Sequence, residues 1–278
     1  MIGTVIVPLD GSELAEQALP FATAIAGGLG VPLELLRVVP AGTAGAEDDA
    51  RTYLNQVRDR VGDHAQVMIQ TGQPAAQIVA VAEAANEPLI IMTTHGRGGI
   101  GRVVFGSVAD KVLRGVSAPL LLIRSGTPAT TQANVQTIMV PIDGSAFSEV
   151  AIPYAELLAR VFKAEVRLVR VIEATYVTTG TVLAPAAAAE AIPEVREATE
   201  YLAGVAQRLR DNGIRVQTQV LEGFPTNQLL AYEKESGADL VVMATHSRTG
   251  LGRLVYGSVA ERVLNNGAVP VLMVQPQE

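Results

Sequence analysis

The chain contains one pattern of motifs twice, and this repeat limits its fold more than any other feature. The run TVIVPLDGS at 4–12 returns as TIMVPIDGS at 137–145, and GSVA at 106–109 returns at 257–260. A unit of about 140 residues is too long for a solenoid repeat and indicates a duplicated domain. We therefore predict domains over 1–126 and 135–278, joined by a small-residue, polar linker over 127–134.

The two repeats differ by one insertion. Matching motifs are 133 residues apart near the start of each repeat and 151 apart near its end, so the second repeat has 18 more residues. We place the insertion in 174–193, which is rich in Ala and Thr, and expect a longer, mobile loop or lid there.

Within each repeat, short apolar runs alternate with stretches of helical spacing. In the first repeat this predicts strands at 4–9, 32–39, 64–70, 88–93 and 119–123, and helices at 12–26, 48–61, 74–85 and 107–114. Such alternation is typical of a parallel sheet with right-handed crossovers. We expect an α/β fold with two doubly wound, five-stranded parallel-sheet domains of strand order 3-2-1-4-5. The third strand, which is the least hydrophobic, should lie at an edge.

The last strand of each repeat is strongly apolar. PLLLI at 119–123 and PVLMV at 270–274 would each form an exposed edge, which proteins avoid. We therefore predict that these strands pair within one chain, which would make the monomer an intrachain pseudo-dimer. A further homodimer of two chains stays open.

Composition excludes several classes of function. The net charge is −7 and there is no cluster of basic residues, so we expect no nucleic-acid partner. The absence of cysteine excludes disulfides, thiolate catalysis and Cys-based zinc sites. No apolar run approaches the length of a membrane span, and the first residues enter a strand pattern without a leader-like apolar region. We expect a cytoplasmic protein with no membrane partner.

The segments that the duplication preserves best lie where a ligand is expected. With strand order 3-2-1-4-5 the chain direction switches between strands 1 and 4, and ligands bind beyond the carboxyl ends of the strands at such a point. A glycine-rich loop follows strand 4 and leads into a helix at Gly106-Ser107. The first amides of a helix lack intrahelical partners and attract anions. The pattern predicts a phosphate site that needs no lysine.

These motifs resemble those of the universal stress proteins, over essentially the whole chain, twice. The resemblance rests on V-P-L/I-D-G-S, T-H-x-R and G-S-V-A-D/E-K/R-V-L at matching spacings. ATP-binding members of the family carry G-x-x-G-x9-G-S/T after strand 4. Here that pattern occupies Thr93, Gly96, Gly106 and Ser107, and then Ala244, Ser247, Gly257 and Ser258, so three of the four early positions are not glycine.

The resemblance implies an adenine nucleotide α-hydrolase-like fold that binds ATP with Mg²⁺ or Mn²⁺ in a stress response. Asp10 and Asp143 would lie near the ribose or a bound metal, and the neighbouring Pro8 and Pro141 would also belong to the nucleotide site. Val38 and Val171 would contact adenine, and Thr93 and Ala244 would offer backbone groups to the ribose. The phosphates would be held by the amides of Gly96, Gly106, Ser107 and Val108, and of Ser247, Gly257, Ser258 and Val259.

Four further residues recur in register beside these positions. His95 and His246 are candidates for the site by their recurrence, whereas Arg97 and Arg248 could either neutralise phosphate or be solvated. The two aspartates could also be simple turn formers, and Gly106-Ser107 could be only the start of a helix. We disfavour a hydrolase triad from Asp10, Ser12 and His95, since no G-x-S-x-G elbow is present.

Other nucleotide signatures fail on context. Gly96-x-Gly98-x-x-Gly101 matches a dinucleotide fingerprint by letter, but it follows strand 4 instead of strand 1 and is lost in the second repeat. No P-loop motif occurs. We expect no catalytic residue, and at most a slow ATPase. The alternative is a module of the same fold that binds a protein partner and no nucleotide.

Overall fold

The computed structural model describes residues 2–62, 64–94, 106–124, 133–173, 176–179, 182–185, 188–245 and 257–276. Six of the predicted site residues lie outside these ranges. They are His95, Gly96, Arg97, His246, Ser247 and Arg248. The described residues form two compact units, and the boundary between the units does not coincide with the repeat boundary.

The first unit contains a doubly wound parallel sheet. Its strands are β1 (Thr4–Pro8), β2 (Leu33–Val39), β3 (Ala65–Thr71), β4 (Pro88–Thr93) and β5 (Leu120–Ile123), in the order β3-β2-β1-β4-β5. The connecting helices are α1 (Glu13–Glu16), α2 (Leu19–Leu29), α3 (Ala46–Val61), α4 (Pro74–Ala84) and α5 (Ser107–Gly115). All four neighbouring pairs are parallel. The predicted strand order is confirmed, and so is the third strand's place at an edge of the unit.

The helix predicted over 12–26 is wrong in one respect, because it is two helices. α1 ends at Glu16 and α2 begins at Leu19, with Pro20 in its first turn. Proline lacks an N–H and its ring clashes with the carbonyl four residues earlier, so a continuous helix cannot pass through Pro20, whereas a new first turn accepts it.

The core of the first unit is aliphatic, as the composition indicates. β4 and β5 are buried along almost their whole length, and Leu89, Ile90, Ile91, Leu121 and Leu122 are fully buried. Strands covered by helices on both faces need continuous apolar runs, which these sequences supply. Among the residues described, no helix combines the length and apolarity that a membrane span requires.

The second unit repeats the arrangement. Its strands are β6 (Thr137–Pro141), β7 (Glu165–Ile172), β10 (Val216–Glu222) and β11 (Leu240–Ala244), ordered β10-β7-β6-β11. The helices are α6 (Ala146–Glu149), α7 (Ile152–Phe162), α8 (Ala188–Asp211), α9 (Pro225–Ser236) and α10 (Ser258–Asn266). Pro153 stands in the first turn of α7, so the break seen at Pro20 recurs.

The insertion differs from the loop that we predicted. Its described residues form an antiparallel hairpin of β8 (Tyr176–Thr179) and β9 (Val182–Pro185) and the first residues of α8. The Thr-Val-rich run suits paired strands, and the Ala-rich run after it suits a helix, so both halves of the insertion have a local preference for regular structure.

The last strand of the second repeat, β12 (Val271–Val274), belongs to the first compact unit. It pairs antiparallel with β5, with Leu272 opposite Leu121. The buried Gln275 side chain donates a hydrogen bond of 3.0 Å to the Val116 carbonyl just before β5. The predicted pairing of the two apolar strands is therefore confirmed, and it covers the edge that β5 would otherwise expose.

Candidate functional site

The carboxyl end of β1 leads into a tight turn built around Asp10. Asp10 Oδ1 accepts hydrogen bonds from the Ser12 amide at 2.9 Å and from the Ser12 hydroxyl at 2.6 Å. Ser12 Oγ in turn accepts the Ala15 amide at 3.1 Å and caps α1. Gly11 has φ 83°, which favours glycine. The Asp10 carboxylate therefore shapes the turn and is fixed at the end of the strand.

The second unit reproduces this turn almost atom for atom. Asp143 Oδ1 accepts the Ser145 amide at 2.9 Å and the Ser145 hydroxyl at 2.6 Å, and Ser145 Oγ accepts the Ser148 amide at 3.1 Å. Gly144 has φ 92°. The same geometry in both copies of the D-G-S motif indicates that the motif itself favours this turn.

Hydrogen bonding lowers the pKa of Asp143. Partial burial alone would raise the pKa of Asp143, but hydrogen bonds from the Ser145 hydroxyl and the Ser145 amide help to outweigh burial and hold the pKa below its ordinary value. Ser148 Oγ accepts the Asp143 amide at 3.2 Å and donates to the Ser145 carbonyl at 3.0 Å, which ties the turn together from its other side. Sequence reasoning missed Ser148, because the matching residue of the first repeat is Ala15 and a search for shared residues passes over it.

The helix predicted to hold phosphate begins where expected. α5 starts at Ser107 with Gly106 as N-cap, and no side chain of the described residues caps it. The Gly106 amide donates to the Thr94 carbonyl at 2.7 Å, and the first helical bond is donated by Asp110 to the Gly106 carbonyl. The amides of Ser107 and Val108 therefore precede the first intrahelical hydrogen bond. The Gly106 amide differs from them, because it already donates to the carbonyl of the residue that follows β4.

α10 has the same start in the second unit. Gly257 is its N-cap, Ser258 is its first residue, and Glu261 donates the first helical bond to Gly257. Thr245, just after β11, is fully buried, and its hydroxyl has no hydrogen-bond partner within the described ranges. Sequence reasoning did not single out Thr245, although it follows the predicted ribose position Ala244.

The predicted residues on neighbouring strands come together in the second unit. A cavity of about 210 Å³ is lined by Asp143 and by Val171 near the end of β7, with Arg170, Ile172 and three glutamates, Glu173, Glu194 and Glu197, around it. Asp143 and Val171 are thus brought to one cavity. Pro141 ends β6 beside this turn and is half-buried, as Pro8 is at the end of β1.

A second cavity, of about 280 Å³ in the first unit, lies away from the predicted residues. It is lined by Glu34, Met68 and Gln70 of the sheet and by residues of α4. Burial raises the pKa of Glu34. This cavity involves none of the motifs that recur between the repeats, since Arg167 occupies the position equivalent to Glu34.

The described residues contain no group of three or more His, Asp or Glu side chains suited to hold a metal ion. The predicted metal ligands Asp10 and Asp143 would each contribute one carboxylate. Mg²⁺ is often held by one or two carboxylates together with substrate phosphates and water, so one carboxylate in each unit fits an ion that arrives with a polyphosphate.

The fold and these turns define a duplicated, doubly wound α/β protein whose candidate sites lie beyond the carboxyl ends of its parallel strands. The family model "Universal stress protein family" matches residues 1–124 and again 134–275. The chain therefore belongs to the universal stress protein family, as a tandem member.

Relatives that match half of the chain and relatives that match nearly all of it agree with this assignment. A universal stress protein of Methanocaldococcus jannaschii is 37% identical over 140 residues, which cover 50% of this chain and 81% of that protein. One of Mycolicibacterium smegmatis is 26% identical over 296 residues, covering 98% of this chain and 97% of its own. The crystal structure of a universal stress protein from Archaeoglobus fulgidus covers 98% of each chain with a TM-score of 0.74, and at 18% identity this likeness concerns the fold.

Proposed function

We propose that the chain binds ATP with Mg²⁺ or Mn²⁺ at the carboxyl ends of its parallel strands, and acts in a stress response. The observation that carries the proposal is the start of α5. There the amides of Ser107 and Val108 precede the first intrahelical bond, and no described side chain caps them. Such amides, together with the helix dipole, stabilise phosphate without a lysine.

The turn at Asp10 supports the proposal at the ribose end of the same ligand. Its carboxylate is held at the end of β1, and β1 lies next to β4, which leads toward α5. A nucleotide bound across these strand ends would have its phosphates at α5 and its ribose near Asp10. When bound, the metal ion would neutralise phosphate charge, with Asp10 or Asp143 as the ligand that the protein supplies.

A proline substitution at the helix start tests directly whether its amides bind phosphate. Ser107→Pro removes one amide N–H at the first helical position, where proline is well tolerated, and Ser107→Ala removes only the hydroxyl. A hydrogen bond to a charged group contributes about 1.5–3 kcal/mol, so we expect Ser107→Pro to weaken ATP binding at that site roughly ten- to a hundredfold. Ser258→Pro is the matched change in the second unit.

Isothermal titration of ATP with excess Mg²⁺ measures the effect. The wild-type chain should saturate, and ATP should raise its melting temperature by mass action. No heat and no thermal shift at millimolar nucleotide would refute the proposal. Equal binding by wild type and Ser107→Pro would show that the anion does not contact this amide.

The competing function is a module that binds a protein partner and no nucleotide. It is favoured by Thr93, Ala244 and Ser247, which stand where ATP-binding members carry glycine. The titration separates the two functions. Slow hydrolysis of bound ATP is a third possibility, which phosphate release by an Asp10→Asn variant would address. A cytoplasmic location stays a prediction.

A further inference from the structure

Each unit contains a cluster of side chains beside the aspartate turn, with the same geometry in both units, to which the proposed function assigns no role. In the first unit the Arg37 guanidinium of β2 stacks on the ring of Tyr53 in α3, with its carbon 4.9 Å from the ring centre. The Tyr53 hydroxyl donates to Glu16 Oε1 at 2.9 Å, and Arg60 donates to Glu16 Oε2 at 2.8 Å. Arg37, Tyr53, Glu16 and Arg60 are called the arginine–tyrosine cluster below.

The second unit has the same cluster. Arg170 of β7 stacks on Tyr201 of α8 at 5.4 Å, Tyr201 donates to Glu149 Oε1 at 2.8 Å, and Arg208 donates to Glu149 Oε2 at 3.2 Å. The insertion lies between Arg170 and Tyr201, yet the stacking is kept. The spacing from tyrosine to the outer arginine is seven residues in both helices, two turns apart on one face.

The cluster is connected to the aspartate turn through the short helix that follows the turn in each unit. Glu16 and Glu149 are the last residues of the short helices that the turn serines cap. In the second unit Arg170 also lies against the turn itself: a Cβ placed on Gly144 would be 3.3 Å from Arg170 Nη1. The same arginine lines the cavity with Asp143.

The arginine–tyrosine stack and the tyrosine–glutamate hydrogen bond are partly shielded from water, whereas the second arginine that pairs with the glutamate is exposed. The Glu16 side chain is 21% exposed, whereas Arg60 is 58% exposed, and Arg208 is 64% exposed. Exposed ion pairs contribute little, because water and salt compete with them. Burial, together with the neighbouring carboxylate, raises the pKa of Tyr53, which keeps its hydroxyl a donor. The arginine–tyrosine stack and the tyrosine–glutamate bond should therefore carry the effect.

We propose that Arg37 and Arg170 are positioning residues, which hold the D-G-S turn of their own unit through tyrosine and glutamate and so set the place of the ribose-side carboxylate. The proposal rests on the proposed function for its effect on nucleotide. It adds that the loss of either arginine weakens binding in its own unit without the arginine touching phosphate.

Amide hydrogen exchange, measured by NMR without nucleotide, tests whether the arginines hold the turn. In Arg170→Met we expect the Ser145 and Ser148 amides to exchange with solvent several-fold faster, while the Ser12 and Ala15 amides stay as in wild type. Arg37→Met should give the reverse pattern. Arg208→Gln, which removes only the exposed partner of Glu149, is the control and should leave all four rates unchanged.

Nucleotide titration tests whether the arginines affect binding. The Gly11 amide signal reports binding in the first unit, and the Gly144 amide signal reports binding in the second. Arg170→Met should weaken adenosine and ATP by the same factor in the second unit, roughly tenfold, because the displaced carboxylate would lose about one hydrogen bond to the ligand. Loss of ATP binding with adenosine binding intact would mean that the arginine contacts phosphate, and would overturn the proposal.

Tyr53→Phe and Tyr201→Phe cover the case in which an arginine variant does not fold, since they delete only the hydroxyl bond to glutamate. They should speed exchange at the same amides to a smaller extent. Unchanged exchange in both the arginine and the tyrosine variants would overturn the proposal. If wild type binds no adenosine or ATP, the proposed function fails, and the exchange rates still decide whether the cluster holds the turn.

Discussion

Replacing Ser12 by alanine should destabilise the first unit, whereas the same change at Ser107 should not. Both serines stand at helix starts, but their contacts differ. Ser12 Oγ accepts the Ala15 amide at 3.1 Å and donates to Asp10 at 2.6 Å. Ser107 is exposed at the first position of an uncapped helix. A stability screen of the two variants therefore separates a serine that holds the fold from one that is available to a ligand.

The expected cost follows from the two lost bonds. An N-cap serine replaced by alanine costs about 0.5–2 kcal/mol, and water can partly replace the bond to the half-buried Asp10, so we expect about 1–2 kcal/mol for Ser12→Ala. For a unit of this size that lowers the melting temperature by roughly 2–8 °C. Ser107→Ala should stay within about 0.5 kcal/mol of wild type.

Urea unfolding followed by circular dichroism measures both variants, and Ser145→Ala should repeat the result for the second unit. A neutral Ser12→Ala would show that the turn does not depend on its cap. A loss of stability in Ser107→Ala as large as that in Ser12→Ala would show that Ser107 is structural, and would remove the reason for assigning it to a ligand.

Three further changes test the packing. Gly267→Ala should cost about 1–3 kcal/mol, because its Cβ would lie 2.6 Å from Oε2 of the buried Glu233, and urea unfolding checks this. Gly204→Ala, in the interior of α8 with nothing within 4 Å, should instead stabilise by about 0.5–1 kcal/mol in the same assay. Stability should also fall as pH rises above about 10, since the unfolded chain then loses phenolic protons that Tyr53 and Tyr201 retain, their pKa values being raised by burial and by the neighbouring glutamates. Both rings are half-buried, so solvent screening keeps this slope below the limit of about 1.4 kcal/mol per pH unit for each tyrosine. Unfolding from pH 9 to 11.5 measures the slope, which should flatten in a double Tyr→Phe variant. An unchanged slope would contradict this assignment.

The fold was predictable because both repeats carry the same order of motifs and apolar runs. Alternating apolar runs indicate parallel strands, and the low hydrophobicity of 65–71 indicates the edge. What failed depends on single residues or on partners distant in sequence. Pro20 breaks a helix that periodicity alone continues, and the insertion has no counterpart in the first repeat from which its hairpin could be inferred.

The candidate site was predictable where a motif acts locally. The D-G-S turn and the start of α5 at Ser107 follow from short-range hydrogen bonding and from helix-start signals. The stack of Arg37 on Tyr53 was not, because it joins residues 16 positions apart in the first repeat and 31 in the second, and no spacing rule connects a strand to the helix after an insertion.

The central claim is that main-chain amides at the start of α5 and α10 bind the phosphates of a nucleotide. The most direct measurement is the NMR signal of the Ser107 and Ser258 amides while ATP with Mg²⁺ is added. We expect both amide signals to move downfield and saturate together with the Gly11 and Gly144 signals of the turns. Saturable binding that leaves the Ser107 and Ser258 signals in place, or no binding, would contradict the claim.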